Sequence, residues 1–327
     1  FAGHCLRGCI SSDRACMAGG KHILILSNSI AGRGRAAART SIVERELAAR
    51  GHEVRVADAR SLNGGLDTVL RSADAVVIAG GDGTVLHALP ALERIGTPVY
   101  HLGTGNENLL ARQLGHSARV DVLADAVDAW DIGSIDVGVC RRSGGDNPAG
   151  THFATMLSVG PDASIVHRLA ARRRGTVWHG SYVAPTLAEA ARPVLPALRI
   201  EVDGRVIADC VRGMAIVANT RQYAVRLDPA RDADASDGLL DVVVLPARSI
   251  AALAWRLGRS RLRWHGPRVA RGRGTRVAIE TTDEVDAAVQ LDGEAPGVLL
   301  GDASGGLTTP IVAEARPAAL RVLRAGR

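Results

Sequence analysis

The first hundred residues alternate between short apolar runs and longer segments whose apolar positions recur at helical spacing. The apolar runs predict buried parallel strands, which have no polar side because helices cover both of their faces. The predicted strands are residues 22–27, 53–57, 75–79 and 98–102. The predicted helices are residues 35–50, 65–72, 84–95 and about 108–114. This alternation predicts an α/β domain with a doubly wound parallel sheet.

The pattern changes after Arg119, where apolar runs follow one another without regular crossover helices. Such a succession predicts a C-terminal antiparallel β-sandwich with a few helices. The predicted strands are residues 135–140, 152–159, 198–202, 213–218, 240–245, 276–281 and 288–291. The predicted helices are residues 163–174, 183–191 and 250–259. The last stretch, residues 309–323, is expected to add a strand or to pack back on the first domain.

A chain of 327 residues exceeds what one compact core usually holds, so two domains are expected. We assign residues 21–119 to the α/β domain and residues 120–327 to the β-rich domain. Residues 1–20 precede the first strand and contain no long apolar stretch, so we interpret them as a disordered N-terminal extension. No window of about eighteen residues is free of charge, which argues against a membrane-spanning helix.

Composition adds little about partners. The formal net charge is +6, but Lys21 is the only lysine, so nearly all of the positive charge is arginine. We attribute this bias to the amino-acid usage of the source rather than to a particular binding partner. This charge permits attraction to phosphates or to an anionic membrane, and we expect no nucleic-acid partner. The five cysteines lack metal-ligand spacing, which favours isolated thiols in a reducing cytosol.

A glycine loop, Gly80-Gly81-Asp82-Gly83-Thr84, follows the third predicted strand. Between a strand and a helix, such a loop leaves backbone N–H groups free to bind phosphate oxygens. Phosphates repel the Asp82 carboxylate unless a cation lies between them or the carboxylate handles a proton. Asp82 therefore suggests a Mg²⁺–nucleotide site, and the Thr84 hydroxyl suits a phosphate. The alternative is an ordinary acidic turn with Asp82 near a helix N-cap.

Two further loops follow neighbouring predicted strands. Gly103-Thr104-Gly105 continues into Asn106-Glu107-Asn108, and Asn28-Ser29 precedes Gly32-Arg33-Gly34. The carboxyl ends of parallel strands share one edge of a sheet, so all three loops should line one cleft. The three loops together predict a nucleotide-binding site.

The sequence resembles the diacylglycerol kinase catalytic-domain family, which includes bacterial lipid kinases and sphingosine kinases. That family shares the GGDGT loop and its nucleotide domain with NAD kinases. Besides GGDGT, four segments carry the resemblance, in the family's order: GTGNENLLAR (103–112), FATMLSVGPDA (153–163), DGLLDVVV (237–244) and LDGE (291–294).

The resemblance implies an ATP-dependent kinase that phosphorylates a lipid hydroxyl group, and it implies a set of functional residues. ATP is expected against Asn28, Gly80, Gly81, Asp82, Gly83, Thr84, Val85, Leu86, His87, Thr104 and Asn106. Glu294 matches the general base for the acceptor hydroxyl, and Asp82 is assigned to handle phosphate and metal. Asp234, Asp237 and the carbonyl of Leu239 match a structural Mg²⁺ site. A bare hairpin turn at 292–294 and a solvated acidic loop around Asp232, Asp234 and Asp237 are the alternatives.

Some positions depart from the family pattern. Leu86 and His87 make the run GGDGTVLHA closer to NAD kinases, Glu107 replaces an aspartate, and Tyr223-Ala224 replaces a glycine-rich turn. The first alternative function is therefore NAD kinase. The second is a lipid-binding or regulatory homologue without turnover.

The stretch Trp255–Arg276 is rich in arginine and contains Trp255 and Trp264, a composition that suits an anionic membrane surface. Nucleic-acid binding and a solvated helix and loop are the alternatives. We expect a cytoplasmic enzyme, peripheral on the inner face of the membrane, with a diacylglycerol-like or sphingoid acceptor. A homodimer and a single chain are the alternative assemblies.

Overall fold

The computed structural model describes residues 20–28, 35–62, 64–144, 149–171, 195–223, 227–260, 269–296 and 306–326. Within these ranges the strands are β1 (His22–Ser27), β2 (Glu53–Asp58), β3 (Ala75–Gly80), β4 (Val99–Gly103), β5 (Ile132–Arg142), β6 (Thr151–Phe153), β7 (Met156–Val159), β8 (Ala197–Val202), β9 (Arg205–Ala218), β10 (Leu240–Pro246), β11 (Ala270–Gly274), β12 (Arg276–Thr281), β13 (Val289–Leu291) and β14 (Ile311–Leu323). The helices are α1 (Arg35–Ala49), α2 (Leu66–Arg71), α3 (Asp82–Ile95), α4 (Leu109–Gln113), α5 (Val120–Ala129), α6 (Pro161–Ala171) and α7 (Ile250–Ser260).

The N-terminal part is a parallel sheet in the order β2-β1-β3-β4, covered by helices on both faces. Alternate residues of β1 enter different cores, because successive side chains of a strand point to opposite faces. Leu24 packs with α3 residues such as Leu89, whereas Ile25 packs with Val43 of α1 and Leu123 of α5. The predicted doubly wound α/β sheet is confirmed.

The C-terminal part is antiparallel. Strand β9 is its longest internal strand and pairs with β8, β10 and β7, while β12 joins β8 to β14. A large apolar core that includes Leu157, Leu198, Val217 and Ile279 lies among these strands. The predicted antiparallel sandwich is confirmed as well.

Strand β14 joins the two parts. It pairs with β5 along most of its length and with β12, and at its end Val322 pairs in parallel with Val99 of β4. One continuous sheet therefore runs from β11 in the C-terminal part to β2 in the N-terminal part.

Several elements differ from the predictions. Helix α5 was not predicted, and it packs with α1 over the first sheet through Leu123 and Val127. The predicted strand 152–159 is split into β6 and β7 by Ala154 and Thr155, whose N–H groups bind Asp292 instead of a neighbouring strand. Strand β11 was missed because its sequence, ARGRG, has no strand preference.

Several predictions lie wholly or partly outside the described residues, including nearly all of the N-terminal extension, the loop at Gly32-Arg33-Gly34, the helix at 183–191, and the part of the arginine-rich stretch that contains Trp264. Within the described part of the chain, no helix combines the length and the apolar character needed to cross a bilayer.

Candidate active site

The two glycine loops lie against each other at the carboxyl ends of β3 and β4. Gly80 and Gly103 are paired, and the Thr104 N–H donates to the Gly80 carbonyl at 2.9 Å. A β-carbon on Gly105 would stand only 2.7 Å from the Gly81 α-carbon. Glycine is therefore required at Gly105, because any side chain there would separate the loops.

Asp82, the first residue of α3, connects the two loops. Its carboxylate accepts the N–H groups of Leu109 at 3.0 Å and Leu110 at 3.1 Å, at the start of α4. Burial raises the pKa of Asp82, and these N–H groups partly offset that rise. The carboxylate thus caps a neighbouring helix rather than its own. Its assignment to phosphate and metal stays a prediction.

Asn108 organises the second loop, a role that the sequence analysis missed. Its backbone is left-handed, with φ of 49°, a conformation that asparagine tolerates better than most residues. Its side chain accepts the Gly105 N–H at 2.8 Å and donates to the Gly105 carbonyl at 2.9 Å. An asparagine just before a short helix was the available signal.

Polar side chains from three strand ends surround these loops. The Asn28 amide donates to the Thr84 hydroxyl at 3.3 Å. Asn28 Oδ1 and the Thr104 hydroxyl oxygen are buried and have no hydrogen-bond partner in the described part of the protein. Buried polar atoms need partners, so these two fit a polar ligand such as a nucleotide.

Three α3 residues that were predicted to bind ATP differ in whether their side chains are buried or exposed. Val85 and Leu86 point into the apolar core, with exposures of 1% and 3%. These two residues can meet a nucleotide only through their backbone. His87 is exposed on the same helix.

The turn after β13 is held firmly. Asp292, also left-handed at φ 49°, accepts the N–H groups of Ala154, Thr155 and Met156 at 2.7 to 2.9 Å, and the Thr155 hydroxyl at 2.5 Å. Burial raises the pKa of Asp292, while these hydrogen bonds lower it. Leu291 and Glu294 exchange backbone hydrogen bonds of 3.0 and 2.9 Å across the turn. The segment is a hairpin turn, anchored by an aspartate whose role the sequence analysis missed.

This turn carries Glu294 to the first glycine loop. A β-carbon on Gly83 would lie 2.6 Å from Glu294 Oε1, so the carboxylate lies directly on the start of α3. The structure therefore brings together Glu294, predicted as the general base, and the GGDGT loop, predicted to bind phosphate.

Comparison with known proteins agrees with this geometry. The family models that match are the diacylglycerol kinase catalytic domain, over residues 22–140, and the YegS C-terminal NAD kinase beta sandwich-like domain, over residues 155–324. A diacylglycerol kinase of Mycobacterium tuberculosis, found in strains CDC 1551 and H37Rv, is 34% identical over 269 residues, which is 78% of each chain. The chain belongs to the diacylglycerol kinase family.

Solved structures share the fold of this diacylglycerol kinase family member. A diacylglycerol kinase structure from Bacillus anthracis str. Sterne has a TM-score of 0.64 and 18% identity, over 93% of this chain and 96% of the other. A second structure from that organism has a TM-score of 0.71 and 17% identity, over 95% and 97%.

An arginine side chain already pairs with the loop that was predicted to bind structural Mg²⁺. Asp237 Oδ2 pairs with the guanidinium of Arg273, which also reaches Asp241 at 3.3 Å. Asp234 and Asp237 each accept the N–H of the residue two positions later, at 3.0 Å. Within the described ranges, no three acidic, histidine or cysteine side chains form a metal-binding group. As arranged, this donor set does not fit a divalent cation, because a positive guanidinium occupies the oxygen that would bind it.

Proposed function

We propose that this diacylglycerol kinase family member is an ATP-dependent lipid kinase. It would transfer the γ-phosphoryl group of ATP to a hydroxyl of a diacylglycerol-like or sphingoid lipid. The contact between Glu294 and Gly83 is the main support, because it places a carboxylate beside the loop expected to hold the phosphates.

The phosphates of ATP would be held by backbone and side-chain groups of the two glycine loops. Backbone N–H groups of Gly81, Asp82 and Gly83, at the start of α3, would bind phosphate oxygens, aided by the positive end of the helix dipole. The hydroxyls of Thr84 and Thr104 would orient the phosphates. Mg²⁺ bound with ATP would neutralise phosphate charge.

Glu294 would act as the general base. As the acceptor oxygen forms its bond to the γ-phosphorus, the bond to the ADP oxygen breaks and the hydroxyl proton passes to Glu294. A lipid hydroxyl has a very high pKa, so the carboxylate helps only as the proton leaves in the transition state. Asp82 would act indirectly, by holding α4 and the second loop in place.

Helix α7 supports a peripheral membrane location. Its exposed positions Ala251, Ala254, Trp255 and Gly258 recur at helical spacing and carry no charge. Trp255 is 64% exposed, and the Arg259 guanidinium lies 5.6 Å from its ring centroid. Tryptophan and arginine together suit the boundary of an anionic bilayer, where the lipid acceptor would be found.

One experiment separates this proposal from the alternatives. The protein is incubated with γ-labelled ATP and Mg²⁺, with either a total lipid extract or NAD as acceptor. Label in the organic phase that Glu294→Gln reduces by about a hundredfold or more supports the proposal. Label in NADP would favour an NAD kinase. Label in neither would favour a homologue without turnover.

A further inference from the structure

A buried polar chain lies behind the Glu294 turn. Ser158 of β7 and Gln290 of β13 are directly opposite each other in an antiparallel pair, and both are buried. The Gln290 amide nitrogen donates to the Ser158 hydroxyl oxygen at 2.7 Å, and its carbonyl oxygen accepts the Gly293 N–H at 2.7 Å. Gln290 thus connects the sandwich interior to the residue that precedes Glu294.

Asp162, in the first turn of α6, forms the other end of this chain. Its Oδ2 accepts hydrogen bonds from the hydroxyls of Ser158 and Tyr223, the latter at 2.8 Å, and a longer one of 3.4 Å from the Gln290 amide nitrogen itself. Its Oδ1 is buried and has no hydrogen-bond partner in the described part of the protein. Burial raises the pKa of Asp162. A proton on Oδ1 would still leave Oδ2 as the acceptor of both hydroxyls.

The hydrogen bonds of this polar chain run in one donor-to-acceptor direction, from Gln290 through Ser158 to Asp162. Because Ser158 donates its proton to Asp162, its lone pairs are left for the amide N–H of Gln290. That contact turns the Gln290 carbonyl oxygen toward Gly293. Gly293 has φ of 81°, so the hydrogen bond holds a turn conformation that few other residues would adopt.

A role in stability alone does not explain this arrangement. Burying hydroxyl, amide and carboxyl groups costs free energy that apolar side chains of similar size would not incur. We propose that Gln290, oriented by Asp162 through Ser158, is a positioning residue that fixes Gly293 and thereby holds Glu294 against Gly83. This inference rests on the proposed function, in which Glu294 is the general base.

The test compares two substitutions that each remove the acceptor of a backbone N–H group next to β13, one after the strand and one before it. Gln290→Leu removes the acceptor of the Gly293 N–H, and Thr309→Val removes the hydroxyl that accepts the Ala287 N–H at 2.9 Å. Both delete a buried acceptor of a backbone N–H, so both should destabilise the fold similarly, by about 1–3 kcal/mol. We expect only Gln290→Leu to lower kcat for lipid phosphorylation, by about tenfold or more, with KM for ATP within about twofold. Equal loss of kcat in both variants would overturn the proposal.

A second pair tests the direction of the chain. Asp162→Asn can keep an oxygen toward Ser158 and Tyr223, with its amide nitrogen where Oδ1 now lies. We expect Asp162→Asn to retain most of kcat and Asp162→Leu to lose as much as Gln290→Leu. Equal losses in Asp162→Asn and Asp162→Leu would contradict the proposal.

Amide hydrogen exchange supplies a measurement that needs no turnover. Gln290→Leu should speed exchange at Gly293 while Thr309→Val does not. If the wild-type protein phosphorylates no lipid, the proposed function fails, and exchange still decides whether Gln290 fixes the turn. Unchanged exchange at Gly293 in Gln290→Leu would overturn the inference.

Discussion

The carboxylate of Glu294 lies so close to Gly83 that a β-carbon on this glycine would stand 2.6 Å from Glu294 Oε1. The two residues belong to different parts of the fold, one at the start of α3 and the other after β13. Their contact therefore sets how the sandwich meets the glycine loop. A hydrogen atom at position 83 is what leaves room for the carboxylate.

Gly83→Ala should separate stability from activity. Alanine favours the first turn of α3 by up to about 1 kcal/mol over glycine, so the melting temperature should hold or rise. The new methyl group would displace the Glu294 carboxylate, and we expect kcat to fall by about tenfold or more. Thermal unfolding and kinetics at saturating ATP measure the two effects.

Gly258→Ala in α7 is the matched control, because a β-carbon there meets no atom within 4 Å. It should also hold or raise the melting temperature. Because Gly258 lies on the face of α7 proposed to meet the membrane, kcat is compared on lipid dispersed in detergent, where it should be unchanged. If Gly83→Ala kept the kcat of the wild type, turnover would not depend on where the Glu294 carboxylate lies.

Asp82→Asn should loosen the second glycine loop. Asparagine keeps one acceptor oxygen and presents an amide N–H to the other backbone N–H, so one contact with Leu109 or Leu110 becomes repulsive. We expect a loss of about 1–3 kcal/mol in the free energy of unfolding and a weaker affinity for ATP. Urea unfolding measures the loss of stability, and equilibrium nucleotide binding measures the affinity for ATP. If stability and nucleotide binding hold while turnover is lost, Asp82 handles phosphate or metal directly, as the sequence alone suggested.

The sequence predicted most of the strands, the parallel sheet and the sandwich because short apolar runs recur at regular intervals along the chain. It also predicted that Asp82 and Glu294 matter, through motifs. It could not predict that Asp82 caps α4, or that Asp292 anchors the Glu294 turn, because these contacts join segments distant in the chain. Val85 and Leu86 fell within a motif, but only the packed helix shows that their side chains enter the core.

Acidification should lower the free energy of unfolding through His116, which lies at the junction between β4 and β14. His116 accepts the His101 N–H through Nδ1 at 3.0 Å, and its Nε2 lies 2.7 Å from the Leu323 carbonyl oxygen. These partners assign the proton of neutral His116 to Nε2. Burial lowers the pKa of His116 to about 4, because a charged ring would be poorly solvated and Nδ1 would then oppose an N–H group.

The direction of this change in the free energy of unfolding follows from proton uptake by the unfolded chain. As pH falls from about 6.5 to about 4, the unfolded chain binds a proton at this histidine and the folded chain does not. The free energy of unfolding should therefore decrease by up to about 1.4 kcal/mol per pH unit from this residue. His116→Asn, which does not titrate, should show a shallower decrease in urea unfolding across that window. Parallel curves for the two proteins would contradict the assignment.

The loop at Asp237 should be stable without divalent metal, since Arg273 already supplies positive charge there. We expect EDTA to leave the wild-type melting temperature unchanged. Arg273→Gln should lower stability by up to about 1 kcal/mol, because the pair is partly exposed, and Mg²⁺ should then restore some of it. A clear drop in the wild-type melting temperature with EDTA would instead support the structural Mg²⁺ site that the family resemblance implied.

Trp255 should mediate membrane binding without contributing to the fold. Its side chain is 64% exposed on α7, so Trp255→Ala should change the free energy of unfolding by less than about 0.5 kcal/mol. We expect several-fold weaker binding to vesicles that contain anionic lipid, measured by sedimentation, because the indole would otherwise enter the bilayer interface. Ile42→Ala is the control, since Ile42 is a large apolar residue, 46% exposed, on a different helix. Equal binding of the wild type and Trp255→Ala, or an equal loss in Ile42→Ala, would remove α7 as the membrane-facing element.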